Sequence, residues 1–253
     1  MIPSPIRKVL SVMRSRRVRA LLMGGQACVL YGGVEFSRDA DLAIVTDPEN
    51  LKRLRDAMTD LQASVVAVPP FEGRYLDAGH AVHFRCAQPD VAGLRVDLMA
   101  RMRGVAPFDA LWGRRTTLSL PAGAGPAVEV DVLALPDLVA AKKTQRDKDW
   151  PVIRRLLEAS YADASEEPNA ARVDFWLREL RTPELLVECA RRFPEAATNI
   201  ARTRPAVALA LKDDARALEE ALEVEQARER ATDREYWAPL RAELERLRRE
   251  GAT

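Results

Sequence analysis

Two carboxylates one residue apart, Asp39 and Asp41, open an apolar run in Ser37-Arg-Asp-Ala-Asp-Leu-Ala-Ile-Val45, a placement that few folds can accommodate. In a β-strand alternate side chains share a face, so both acids point the same way, about 6.5–7 Å apart along the chain. From Asp41 to Val45 the residues read as a buried strand, which sets the acids at the mouth of a core. Like charges crowded there repel, and a cation has to offset them; Mg²⁺ is the simplest candidate. Upstream, the apolar run Val18 to Met23 closes on Gly24-Gly25. Glycine has no Cβ, so a polyphosphate can approach the backbone there. The short helix expected from about Gln26 to Tyr31 would point its free N–H groups at such an anion. Strand, glycine turn, short helix and acid-bearing strand together suit an in-line displacement at phosphorus, in which two metals about 3.5–4 Å apart clamp the attacking and leaving oxygens.

A third acid fits the same constellation. Asp97 lies inside the short apolar strand expected at Gly93-Leu-Arg-Val-Asp-Leu-Met-Ala100, where a carboxylate is costly unless paired or metal-bound. Asp131 is the rival, but in Val128-Glu-Val-Asp-Val-Leu133 the acids alternate with valines, the ordinary pattern of a strand with one wet face. Asp97 is therefore preferred. His80-x-x-His83-x-x-Cys86 suggests zinc at first reading. On a strand over 81–86, however, His80 and Cys86 face one way and His83 the other, so the three cannot converge on one ion, and His83 is left on the face of the acids.

Gly-Gly, then Ser-x-Asp-x-Asp on a strand, then a lone Asp on a later strand resembles the signature of the nucleotidyltransferases with the DNA polymerase β type of fold, and among them the small bacterial members that include the AbiEii-type abortive-infection toxins. The resemblance covers roughly residues 18–158. It implies that Gly24, Gly25, Ser37 and Arg38 hold the nucleoside triphosphate, ATP or another, and that Asp39, Asp41 and Asp97 bind Mg²⁺ or Mn²⁺. Asp97 would also help activate an acceptor hydroxyl on tRNA, protein or a small molecule.

Leu135-Pro-Asp-Leu-Val-Ala-Ala-Lys-Lys-Thr-Gln-Arg-Asp-Lys-Asp-Trp150 reads as a helix that turns cationic. Pro136 and Asp137 suit its first turn. Three of the six lysines of the chain, Lys142, Lys143 and Lys148, fall within seven residues. On one continuous helix Lys142 and Arg146 share a face and are candidates for phosphate contacts, while Lys143 is placed to pair with Asp147. The family carries a similar basic segment after its last strand. Asp149 is expected to cap or pair locally.

The whole is expected to be α+β. A mixed sheet with packed helices, of nucleotidyltransferase type, would occupy residues 1–160, and an all-helical subdomain would occupy 161–253 after the polar linker Tyr161 to Asn169. Strands are expected near 18–23, 41–45, 65–68, 81–86, 94–99, 116–120 and 128–133, and helices near 4–14, 49–61, 170–180, 183–193, 206–230 and 234–250. A net charge of +1 argues against a general nucleic-acid coat, so any such contact must be local. No apolar run approaches a membrane span and no signal peptide is apparent, which points to the cytoplasm; three scattered cysteines fit free thiols. The functional expectation is transfer of a nucleoside monophosphate from an NTP to a hydroxyl, with a link to toxin–antitoxin or phage-defence systems and a protein or RNA partner on the helical tail. The alternative is a catalytically silent nucleotide-binding, scaffold or antitoxin-like protein.

Overall fold

The computed structural model describes residues 3–33, 37–122, 125–164 and 167–251. The protein is mixed α+β, with twelve α-helices and seven strands among the described residues. In chain order these are α1 (Ser4–Ser15), β1 (Ala20–Met23), α2 (Gly24–Leu30), β2 (Ala40–Ile44), α3 (Pro48–Asp60), β3 (Ser64–Val65), α4 (Gly73–Ala78), β4 (Val82–Arg85), β5 (Arg95–Met99), α5 (Phe108–Gly113), β6 (Thr116–Ala122), β7 (Gly125–Val132), α6 (Leu135–Lys142), α7 (Asp149–Ala164), α8 (Ala170–Glu179), α9 (Pro183–Arg192), α10 (Pro194–Ala201), α11 (Pro205–Lys212) and α12 (Ala215–Arg249). None of the described helices is long and apolar enough to cross a membrane.

The chain divides into two compact units. The first comprises residues 1–30, 35–141 and 235–253; the second comprises 31–34 and 142–234. This partition differs from a single cut near residue 160, because the α7 segment groups with the later helices and the end of α12 groups with the sheet.

In the first unit the strands form one mixed sheet in the order β3-β4-β5-β2-β1-β7-β6. β1 and β2 run antiparallel, β2 and β5 parallel, β5 and β4 antiparallel. Period-two alternation assigns the faces. Leu22, Leu42, Leu98 and Val82 occupy one row of register partners, and all are buried. That face is core. The row beside it, Met23, Asp41, Asp97 and His83, points to the opposite face and is polar in three of its four members. The sequence pattern and the sheet therefore agree on which side of the strands carries the acids. The Leu240, Leu244 and Leu247 stripe of α12 is used as a packing face: Leu247 lies with Val68 and Tyr75, Leu244 packs on that cluster, and Leu240 is buried.

In the second unit α7 to α11 and the first part of α12 enclose a core that includes Ile153, Leu156, Trp176, Leu177 and Leu186. Tyr161, expected in a linker, is instead part of this core. Helix α7 continues to Ala164, and the ring of Tyr161 meets Trp176 edge-on with centroids 4.9 Å apart. Burial, then its hydrogen bond to Glu188, pushes its hydroxyl up to about 12. Residues 165–166 of the expected linker lie outside the described residues. The helices expected at 206–230 and 234–250 are also redistributed. Asp213 ends α11 in the left-handed conformation, at φ 59°, and Asp214 accepts from Ala217 N–H at 3.1 Å, capping α12, which then continues without a break to Arg249.

His80 and Glu243, both in the first unit, tie α12 to the loop before β4. His80 is fully buried, its Nε2 lies 2.9 Å from Glu243 Oε2, and its Nδ1 has no hydrogen-bond partner. Glu243→Ala would leave the whole imidazole unsatisfied. The expected cost is about 1–3 kcal/mol, read as a lower midpoint in urea or heat, with Glu243→Gln recovering much of it.

Candidate active site

The acids of the sequence pattern come together on the polar face of the sheet. Asp41 and Asp97 are direct register partners on the parallel pair β2–β5, about 4.8 Å apart strand to strand, and both carboxylates are half-buried. Asp39 lies one residue before β2, next to the end of the ladder that pairs Ala40 with Val96. Two residues tie down its approach. Gln26, buried in α2, donates from Nε2 to Ser37 O at 2.6 Å, and the Ser37 hydroxyl lies 3.4 Å from Asp39 N and O. Arg38 is exposed.

Gly24 explains the glycine turn differently from the sequence argument. It sits at φ +65°, and a Cβ built on it would lie 1.9 Å from Asp41 Oδ2 and 2.5 Å from Asp41 Cγ. The missing side chain makes room for the carboxylate of Asp41 rather than for open space. Gly25, the second residue of α2, is buried.

Asp97 is held from two sides. Arg95, two residues earlier on β5 and hence on the same face, donates from Nε to Asp97 Oδ1 at 2.7 Å. His83 Nδ1, across the antiparallel ladder, lies 2.9 Å from the same oxygen and 2.9 Å from Arg95 Nη2. One ring nitrogen either donates to the carboxylate or accepts from the guanidinium, so the proton position on His83 chooses between the two contacts. Burial raises the Asp97 carboxyl, but the hydrogen bonds from His83 and Arg95 outweigh it and hold the group below its usual range. The Asp97 hydrogen bond, opposed by burial and reinforced by the charges of Asp97, Asp39 and Asp41, raises Arg95. Thus all three acids lie within electrostatic reach of one guanidinium. Neither Arg95 nor Gln26 stood out in the sequence as a site residue; an arginine at i−2 on a strand, sharing the face of Asp97, was the available signal.

Asp131 is engaged elsewhere: it accepts from Arg115 Nε at 2.8 Å and from Thr117 at 2.7 Å, a local ladder contact. His80, His83 and Cys86 do not form a metal site, since His80 is bound to Glu243 and Cys86 is buried.

The donor set of Asp39, Asp41 and Asp97 is all oxygen and suits a hard divalent cation. As the side chains stand, no group of three or more His, Cys, Asp or Glu among the described residues is disposed around a metal position. Asp97 Oδ1 is turned to Arg95 and His83.

The basic segment behaves otherwise than expected. It is not one helix: α6 ends at Lys142 and α7 begins at Asp149. Pro151, without an N–H, is accommodated in the first turn of α7, whereas a helix continuous from residue 135 would have placed it in the interior. Lys142 and Arg146 therefore share no helical face, and Lys143 pairs with Glu179 at 2.7 Å instead of with Asp147, which meets Arg230. Lys142 is buried, with Nζ 3.2 Å from Asp149 Oδ1; Thr144 donates to Asp149 Oδ2 at 2.5 Å and Arg146 Nε to the same oxygen at 2.8 Å. Asp149 is fully buried, which raises its carboxyl, and the charge of Lys142 with the contacts from Thr144 and Arg146 more than reverses this. The local pairing of Asp149 expected from the sequence is present, and Lys142 and Arg146 are the groups that pair with it.

No family model matches the sequence, and no curated protein matches it.

Two outcomes follow from this geometry. Gly24→Ala forces an L-residue into positive φ and drives its Cβ into Asp41; loss of at least about 1–3 kcal/mol of stability is expected by thermal denaturation. Asp149→Asn removes the buried charge facing Lys142 and is expected to cost about 3–5 kcal/mol at pH 7. Because the folded carboxyl of Asp149 is depressed, its contribution is present above the ordinary carboxylate range, about pH 4, and is lost as pH falls through the folded value. The wild-type midpoint should therefore drop on acidification more steeply than that of Asp149→Asn, measured from pH 6 down to pH 2.5.

Proposed function

We propose that the chain is a nucleotidyltransferase of the DNA polymerase β type, moving a nucleoside monophosphate from an NTP to a hydroxyl acceptor and releasing pyrophosphate. The observation that carries this reading is the pair Asp41 and Asp97, in register on adjacent parallel strands, with the backbone of Gly24 set against Asp41 and Asp39 just before the ladder. Asp39, Asp41 and Asp97 are the residues that would hold Mg²⁺ or Mn²⁺. When bound, such an ion supplies Lewis acidity at the phosphate and at the acceptor oxygen. The protein's own share is positioning and electrostatics: the acceptor oxygen–phosphorus bond forms as the bond from the α-phosphorus to the pyrophosphate oxygen breaks. The acceptor proton would leave toward Asp97 Oδ2, the oxygen not engaged by Arg95 or His83.

The expected phosphate contacts of Lys142 and Arg146 differ in how easily they could be made. Lys142 is buried against Asp149, and contact with a triphosphate would require breaking that pair, whereas Arg146 gives Asp149 only its Nε and keeps an exposed side chain. Arg95 and His83 seated on Asp97 favour a second reading, nucleotide binding without turnover.

Transfer from labelled NTP with Mg²⁺ or Mn²⁺, across tRNA, protein and small-molecule acceptors, tests the proposal. Asp41→Asn should lower the rate by roughly 10²-fold or more, as loss of one preorganised electrostatic group does. Full activity in that variant would sink the mechanism; tight NTP binding by the wild type with no transfer to any acceptor would select the second reading. Lys142→Ala should lower the thermal midpoint while the affinity for NTP, measured at a temperature where the variant is folded, stays within about twofold of wild type.

A further inference from the structure

β5, whose other side pairs Asp97 with Asp41 of β2, also sets Arg95 opposite Arg85 of β4. Two like charges directly opposite on a ladder are unfavourable unless something neutralises them. Arg95 has Asp97 and, through space, Asp39 and Asp41. Arg85 is exposed, and among the described residues nothing pairs with its side chain. On one face of the sheet, then, three carboxylates and two guanidiniums lie side by side, with His83 at the end of the row of Asp41 and Asp97. A cation on the acids and a polyanion on the arginines would satisfy both halves. Arg95 stands in the first role, with its Nε on Asp97 Oδ1.

Resting on the nucleotidyltransferase reading, we propose that Arg95 is an exchangeable counter-ion of the acid cluster. It occupies Asp97 Oδ1 while the site lacks a divalent cation, and it is released by the cation to contact, together with Arg85, the phosphates of the nucleoside triphosphate. Arginine suits this exchange because its planar fork matches carboxylate and phosphate oxygens alike. A side chain 38% exposed has the freedom to leave a partner that is only 14% exposed. The coupling runs both ways: the guanidinium competes with the metal for the acids, and the metal frees the guanidinium for the nucleotide.

The test uses the full chain. Mn²⁺ is titrated into nucleotide-free protein and followed by electron paramagnetic resonance, and binding of α,β-methylene ATP at saturating Mn²⁺ is then measured by calorimetry. Arg95→Gln should bind Mn²⁺ about tenfold more tightly than wild type and the nucleotide analogue about tenfold more weakly, the scale of one charge-assisted contact. Arg95→Lys, which keeps the charge but loses the fork, should fall between them for Mn²⁺. Arg85→Gln should leave Mn²⁺ affinity unchanged and weaken the nucleotide. Mn²⁺ affinity in Arg95→Gln equal to or below wild type, or nucleotide affinity unchanged in either arginine variant, overturns the proposal while leaving the transferase reading in place. Mn²⁺ binding that persists undiminished in Asp41→Asn, or no Mn²⁺ binding by wild type and Arg95→Gln alike, overturns the transferase reading and this proposal with it.

Discussion

The close approach of Asp41 to Gly24 is the contact on which the rest of the site depends. β1 ends at Met23, the register partner of Asp41, and the chain turns into α2 at once through a residue with positive φ. Any side chain at that turn would meet the carboxylate. The glycine therefore fixes two things together: the sharp passage from strand to helix, and the space in which Asp41 can point to the polar face beside Asp97. From α2, Gln26 then reaches the Ser37 carbonyl and steadies the chain entering β2. One backbone position, through sterics alone, thus sets where one acid points and supports the segment that carries another.

Electrostatics explains what has gathered around those acids. Unit charges at about 4 Å interact by about 4 kcal/mol at an effective dielectric near 20, so carboxylates on neighbouring strands of a half-buried face cannot go uncompensated. For Asp97 the compensation comes from the same sheet: Arg95 from two residues along the strand, His83 from the next strand over. Period-two geometry guarantees that these groups share the face. A cation drawn from a distant helix would need a long side chain to arrive; one at i−2 arrives by construction.

This also marks how far the sequence was legible. The seven strands and the glycine turn follow from apolar runs and alternation, which are local signals; that Asp97 lies beside Asp41 depends on β2 and β5 being neighbours, a long-range pairing that no local signal specifies. The preference for Asp97 over Asp131 rested on the alternation of acids with valines at Glu129 and Asp131; the partners of Asp131, Arg115 and Thr117, come from the neighbouring strand and the turn before it. What could not be read was the choice of partner among several equivalent charges. Lys142 and Arg146 were separated by one helical turn's worth of sequence, and only the interruption ahead of Pro151 removes them from a common face. They converge on Asp149 nonetheless, through a turn closed by Thr144, a geometry that no helical period describes. Nor does periodicity show that the end of α12 groups with the sheet, because the Leu240, Leu244 and Leu247 stripe names a packing face without naming its partner.

The two charge clusters contrast in a way that bears on their roles. Asp149 and Lys142 are both buried, with side chains 0% and 6% exposed, so their pairing cannot be exchanged for solvent or ligand without a large desolvation cost. Asp97 and Arg95, at 14% and 38%, stand at a boundary where one partner can leave for water or for another anion at a cost of the order of a single hydrogen bond. The first arrangement fixes a turn; the second leaves a carboxylate competent to change partners. A site that takes up a metal and a polyanion in turn needs the second kind, and that difference in burial, more than the identity of the residues, separates the candidate chemistry of the sheet face from the structural ion pair at the start of α7.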